Sequence, residues 1–106
     1  MKTQKRVAKI YLIDIMKLTK DLLYYSIEDG EVTINGIRTH LLSEESIRVL
    51  EYPSHIERKR VTKITLGYND FIFSGREKQF KKIIVPSGCY LIENLPSYLN
   101  VTVEYK

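Results

Sequence analysis

From residue 31 onward the chain is a succession of short runs rich in β-branched and aromatic residues, each closed by Gly, Pro, Asn or Asp. Such runs suit strands, and such punctuation suits turns. "EVTINGIRTHLL" (31–42) reads as a hairpin around Asn35-Gly36, because a two-residue type I′ turn needs positive φ at both positions. In "SEESIRVLEYP" (43–53), Ser43 and the two acids after it suit a helix start. "IRVLEY" reads equally well as strand, and Pro53 stops either one. "HIERKRVTKITL" (55–66) alternates, with Ile56, Arg58, Arg60, Thr62, Ile64 and Leu66 on one side and Glu57, Lys59, Val61, Lys63 and Thr65 on the other. Neither side is apolar over its first half, which suits a strand that projects beyond its sheet or lies on a solvated edge. "GYND" is a turn, "FIFSG" and "FKKIIVP" pair as a hairpin around "REKQ", "IENLPSYLN" reads as a short helix and "VTVEYK" as a last strand.

The first thirty residues differ. "RVAKIYLIDI" (6–15) has strand composition, and the basic residues before it read as a flexible tail over 1–5. In "MKLTKDLLYYSIEDG" (16–30), Leu18, Leu22 and Tyr25 continue a spacing of three and four that begins at Ile15, and Leu23 and Ile27 widen the stripe. Asp14 suits an N-cap, Lys17 and Asp21 an i,i+4 pair, and Gly30 the left-handed position after a helix. The spacing therefore predicts an amphipathic helix. With five to seven strands and two or three helices in all, the expected fold is one α+β domain over 1–106 with a mostly antiparallel sheet of hairpins.

Composition excludes several classes. Hydrophobic residues make up 43% and charged residues 28%, the balance of a globular chain. No apolar run approaches the roughly 20 residues that cross a bilayer, so no membrane partner is expected. The basic-then-apolar start imitates a signal peptide, but Lys9 and Asp14 interrupt it and no small-residue cleavage site follows. Asn100-Val101-Thr102, an acceptor pattern for N-glycosylation, then reads as chance. The single cysteine excludes an internal disulfide and a four-ligand zinc site built on cysteines. The expected compartment is reducing: the cytoplasm, or a host cytoplasm or virion if the gene is viral.

Motifs for catalysis or cofactors are missing as well. His40 and His55 belong to no two-histidine metal pattern, and the five glycines make neither a GxGxxG nor a Walker motif. Cys89 has no partner specified for a thiolate and reads as a small packing residue. The expectation is a non-enzymatic protein without cofactor or metal.

Charge carries more. Residues 1–20 hold six bases against one acid, 21–57 two against eight, 58–82 eight against two, and 83–106 one against two. The basic block contains Arg58, Lys59, Arg60 and Lys63 on one segment and Arg76, Lys78, Lys81 and Lys82 on the next. If 55–66 and 78–85 are neighbouring strands, these eight side chains form one positive surface, to which the N-terminal Lys2, Lys5 and Arg6 can add. Cations attract phosphates through counterion release, and aromatic rings stack on unpaired bases. Tyr68, Phe71, Phe73 and Phe80 lie between or beside the cations, with Phe71 and Phe73 better read as core. Nucleic acid is thus the expected partner. Opposite charge on neighbouring blocks also suits a homo-oligomer or a charged protein partner.

"VPSGCYLIENLPSYLN" (85–100) resembles a pattern in structural proteins of several viruses and phages, where a strand ends in Pro-x-Gly-x-Tyr and a short helix closes on Leu-Asn. The matching residues are Pro86, Gly88, Tyr90, Ile92, Glu93, Leu95, Leu99 and Asn100. Pro86 ends the strand because it cannot donate to a ladder, Gly88 provides the turn and Tyr90 covers it. Pro96 departs from the pattern, standing where a helix former is usual. The resemblance implies a viral or mobile-element structural or assembly protein and carries over no active residue.

Overall fold

The structure, a computed structural model, describes residues 15–42, 47–73 and 75–106. The strand expected over 6–15, apart from Ile15, lies outside these residues, as do the tail and the helix start at 43–45.

Two sheets carry the fold. β1 (Ile15–Lys17), β4 (Val49–Glu51), β9 (Lys82–Val85) and β11 (Thr102–Tyr105) form one of them in that order, every pair parallel. In the other, β2 (Leu23–Glu28), β3 (Glu31–Ile37), β6 (Lys59–Gly67) and β10 (Tyr90–Asn94) lie side by side. Here β2 is antiparallel to β3, while β3–β6 and β6–β10 are parallel. β5 (His55–Ile56) adds to β6 as a hairpin. A small excursion, β7 (Ile72–Phe73) with β8 (Arg76–Glu77), stands apart. Strand order in both sheets follows chain order, so the chain winds from one sheet to the other and advances one strand per pass.

Register fixes the core. Met16, Leu50, Ile83 and Val103 lie abreast across the first sheet. Tyr25, Ile34, Ile64 and Leu91 lie abreast across the second, with Ile27, Val32 and Val61 beside them. All belong to one apolar cluster between the sheets. Burying a Leu or Ile side chain contributes about 1.5–3 kcal/mol, so these rows hold the sheets together.

The α+β expectation is therefore corrected. Among the described residues no helix reaches seven residues, and helical geometry is confined to the 3-10 turns Lys20–Leu22, Thr39–Leu41 and Tyr68–Phe71. No helix among them is long and apolar enough to cross a membrane. The segment read as an amphipathic helix is β1, a 3-10 turn and β2. Tyr24, Tyr25 and Ile27 are strand formers, and Leu23, Tyr25 and Ile27 turn inward with a period of two. Gly30 does have positive φ, but it follows Asp29, also left-handed at φ 52, in the β2–β3 hairpin turn. The turn expected at Asn35-Gly36 is thus displaced to Asp29-Gly30, an equally good type I′ pair. Asn35 and Gly36 continue β3. Gly36 packs closely there, where a Cβ would stand in van der Waals contact, 3.4 Å from Asp70 Oδ1 and 3.6 Å from the Tyr24 ring.

Three further corrections follow. β6 is not an edge but an interior strand between β10 and β3, and its first residues, Lys59 and Arg60, do project beyond both neighbours to pair with β5 alone. Glu57 and Arg58 form the β5–β6 turn with φ 52 and 69. Thr62 is an extra residue, since Val32 faces Val61 and Thr33 faces Lys63. This bulge switches the alternation, so that Val61 and Ile64 both point inward. β7 pairs with β8 rather than with β9, which lies between β4 and β11. Finally, 90–94 is strand. The helix expected over 92–100 is reduced to a single turn closed by Leu99 N–H on Pro96 C=O at 3.0 Å. Pro96 is incompatible with a helix interior, while Leu95 and Leu99 still pack on the core from that turn.

Between β6 and β9 the chain makes its own small core. The Phe80 ring meets Phe71 and Phe73 edge-on, with centroids 5.7 and 5.6 Å away. Asp70, buried, ties this excursion to the sheet. Its carboxylate accepts the Ile37 N–H at 2.8 Å and the Gly67 N–H at 2.9 Å. Burial pushes its carboxyl up, and the two N–H donors pull it back down. Asp70→Ala leaves both amides unpaired and is expected to cost on the order of 3 kcal/mol in a urea titration. Ile83→Ala is expected to cost about 2–5 kcal/mol, whereas Thr102→Ala, on the exposed face, stays within about 0.5 kcal/mol.

Candidate nucleic-acid interface

The winding divides the eight basic residues. β6 and β9 belong to different sheets, so the neighbouring-strand arrangement that would join them does not occur. Ser26, Thr33, Lys63 and Tyr90 lie abreast on the face of the second sheet turned away from the core. Lys82 lies abreast of Ile15, Val49 and Thr102, on the outward face of the first sheet. Lys63 and Lys82 therefore point to opposite sides of the molecule.

Their commitments differ too. Lys82 Nζ donates to Glu104 at 2.8 Å, and Lys78 Nζ sits 5.8 Å from the centre of the Phe80 ring. Arg76 is exposed on β8, and Lys81, also exposed, leads into β9. Arg58, Lys59, Arg60 and Lys63 have no salt bridge among the described residues. Arg58 is exposed at the tip of the β5–β6 hairpin, and Arg60 faces His55 across it. Tyr25 Oη donates to Glu57 at 2.8 Å and so fixes the hairpin against the second sheet.

Beside this hairpin is a cleft of about 530 Å³ at the carboxyl ends of β4 and β9, where both strands hand the chain over to the other sheet. Ligands commonly bind at such ends of parallel strands. Its apolar wall comes from Tyr52, Val61, Ile84 and Val85, and its rim from Ser54, His55, Arg60, Ser87 and Lys106. Lys106 Nζ donates to Glu51 at 2.7 Å, the one carboxylate of the lining. Ser54 Oγ and His55 Nδ1 are 2.9 Å apart. The guanidinium of Arg60 lies against Gly88, where a Cβ would stand 3.7 Å from Nη2. Gly88 is left-handed at φ 81, and this lets the chain turn from β9 into β10.

The aromatic half of the expectation shifts. Phe71, Phe73 and Phe80 are buried and cannot stack on a base. Tyr68 donates its hydroxyl to Glu77 at 2.9 Å. Tyr90, expected to cover the Gly88 turn, is instead 65% exposed and directly opposite Lys63 on the outward face. The signal that places it outward is the alternation of 90–94, visible only once that segment is read as strand.

Other candidate chemistry finds little support. Cys89 is buried in the core, its thiol pushed up by that burial, and its Sγ donates weakly to the Tyr90 carbonyl at 3.8 Å. No three His, Cys, Asp or Glu side chains among the described residues converge as metal ligands. No family model matches the chain, and no similar characterised protein or solved structure was found.

Beyond the cleft, Glu77 accepts hydroxyls from Tyr98 at 2.7 Å and Tyr68 at 2.9 Å. Those bonds, the Tyr98 one first, hold its carboxyl below the usual range. The stabilisation this pairing gives is present above the ordinary glutamate pKa and disappears as pH falls through the lowered one. An NMR titration should place the Glu77 midpoint below that of a model glutamate, and Tyr98→Phe should move it upward.

Proposed function

We propose that the protein is a non-enzymatic module that binds single-stranded nucleic acid across its β5–β6 end. The backbone meets Arg58, Lys59 and Arg60 on the hairpin. A base stacks on Tyr90 beside Lys63. One observation carries this reading: a run of three cations without salt bridges among the described residues stands at the start of the strand that carries Lys63, which faces an exposed tyrosine. Such a strip offers both requirements of single-strand binding, a positive track for phosphates and a flat ring for bases. Thr33 and Ser26 continue the row of Lys63, so the face around the ring is polar.

Fluorescence polarisation with a labelled oligonucleotide across a salt series tests it. Arg58→Ala/Lys59→Ala/Arg60→Ala should weaken binding at least about tenfold and lower the salt slope by about 2, roughly 0.7 for each single-strand phosphate no longer neutralised. Tyr90→Ala should weaken binding by about 1–3 kcal/mol. Arg76→Ala/Lys81→Ala, away from the strip, should stay within about twofold. A wild-type chain that binds neither DNA nor RNA at low salt would contradict the proposal.

A role in assembly, as in a structural protein of a virus or mobile element, is the second reading. The feature that favours it is the outer edge of β11, which has no strand partner among the described residues.

A further inference from the structure

β11 is the last strand of the first sheet and carries no strand partner on its outer side among the described residues. Its hydrogen bonds show which of its groups are free to accept one. Lys106 N–H donates to Val85 C=O at 2.9 Å, and Ser87 N–H donates to Lys106 C=O at 2.8 Å. In a parallel ladder the residues that bond one neighbour alternate with those that face away. Thr102, Glu104 and Lys106 therefore bond β9, and the N–H and C=O groups of Val103 and Tyr105 point outward. The inner-face side chains at this edge are apolar: Val103 continues the row Met16–Leu50–Ile83, and Tyr105, 55% exposed, lies abreast of Val85. Val101 packs on the same core.

We infer that β11 is the interface of a two-fold symmetric dimer, in which it pairs antiparallel with the β11 of a second copy. Self-complementarity identifies the occupant. With Val103 opposite Val103, Val101 faces Tyr105 of the other copy, and every outward N–H and C=O from 101 to 105 finds its counterpart. The apolar row then runs without a break through both copies. Charge selects this register over its neighbour. A shift to Glu104 opposite Glu104 also satisfies the backbone, but it sets two carboxylates face to face, which is destabilising in a cross-strand pair. The Val103 register instead places Thr102, a hydroxyl donor, opposite Glu104. β10 ends the second sheet at the same end of the winding. The result is isologous and closes at two copies, which removes an open edge.

Sedimentation velocity from micromolar to millimolar protein, without nucleic acid, tests this independently of the binding reading. The wild type should pass from monomer to dimer and go no further. Val103→Pro removes an N–H that β9 does not use and puts a ring in the contact. It should raise the dimer dissociation constant at least about tenfold, measured at a temperature where circular dichroism shows the variant folded; because Val103 also packs on the core, some loss of melting temperature accompanies it. Thr102→Glu should weaken the dimer in the same direction, and Thr102→Lys, facing Glu104, should strengthen it. A wild type that stays monomeric to millimolar concentration overturns the inference. So does a dimer that Val103→Pro and Thr102→Glu leave intact.

Discussion

The parallel pairing of β4 with β9 is the constraint from which the rest of the molecule follows. Parallel neighbours cannot be joined by a tight turn, because the chain must return to the end from which it started. Here that return is made through the opposite sheet and not through a helix. Each pass through β1, β4 or β9 is followed by a pass through β3, β6 or β10, and the strand order of both sheets repeats the chain order. Leu50 and Ile83, abreast in the first sheet, then face Val61 and Ile64 in the second within one apolar cluster. Without the parallel register the two inner rows would not coincide, and each sheet would expose an apolar face.

The winding also decides where binding can occur. It leaves a polar outward face on the second sheet, irregular crossing ends and last strands without a further strand partner among the described residues. The hairpin with Arg58, Lys59 and Arg60 and the cleft beside it both lie where β4 and β9 cross over. The polar face with Lys63 and Tyr90 belongs to the second sheet alone. Lys82, on the first sheet, is neutralised by Glu104. The positive block of residues 58–82 is therefore one block only along the chain. In space the cations on β6, without salt bridges among the described residues, are separated from Lys82 on the other side.

Much of the local structure was legible in the sequence. Lys59–Gly67, Lys82–Val85 and Thr102–Tyr105 all lie in segments whose β-branched content reads as strand, whereas for Val49–Glu51 the sequence left helix and strand equally open. The turn at 67–70 and the packing role of Cys89 were readable too. Residues 16–30 were not, because Leu18, Leu22 and Tyr25 fit a helical stripe while Leu23, Tyr25 and Ile27 fit a strand. The choice was settled by tertiary burial and by the Asp29-Gly30 turn. Asn35-Gly36 and Asp29-Gly30 compete on equal local terms, and only pairing with β2 across the bulge at Tyr24/Tyr25 decides between them. Parallel partners 20 to 34 residues apart leave no local mark, as with Ile83 and Val103, Ile15 and Val49 or Lys63 and Tyr90. For that reason the division of the basic residues and the outward position of Tyr90 could not be read from the letters.

The pattern of backbone NOEs among β4, β9 and β11 in an isotopically labelled sample is the most direct test of the winding. The account predicts parallel-type contacts linking Leu50 with Ile83 and Ile83 with Val103, carried by slowly exchanging amides. Antiparallel contacts joining 71–73 to 80–85, or helical i,i+3 contacts through 16–30, would contradict it.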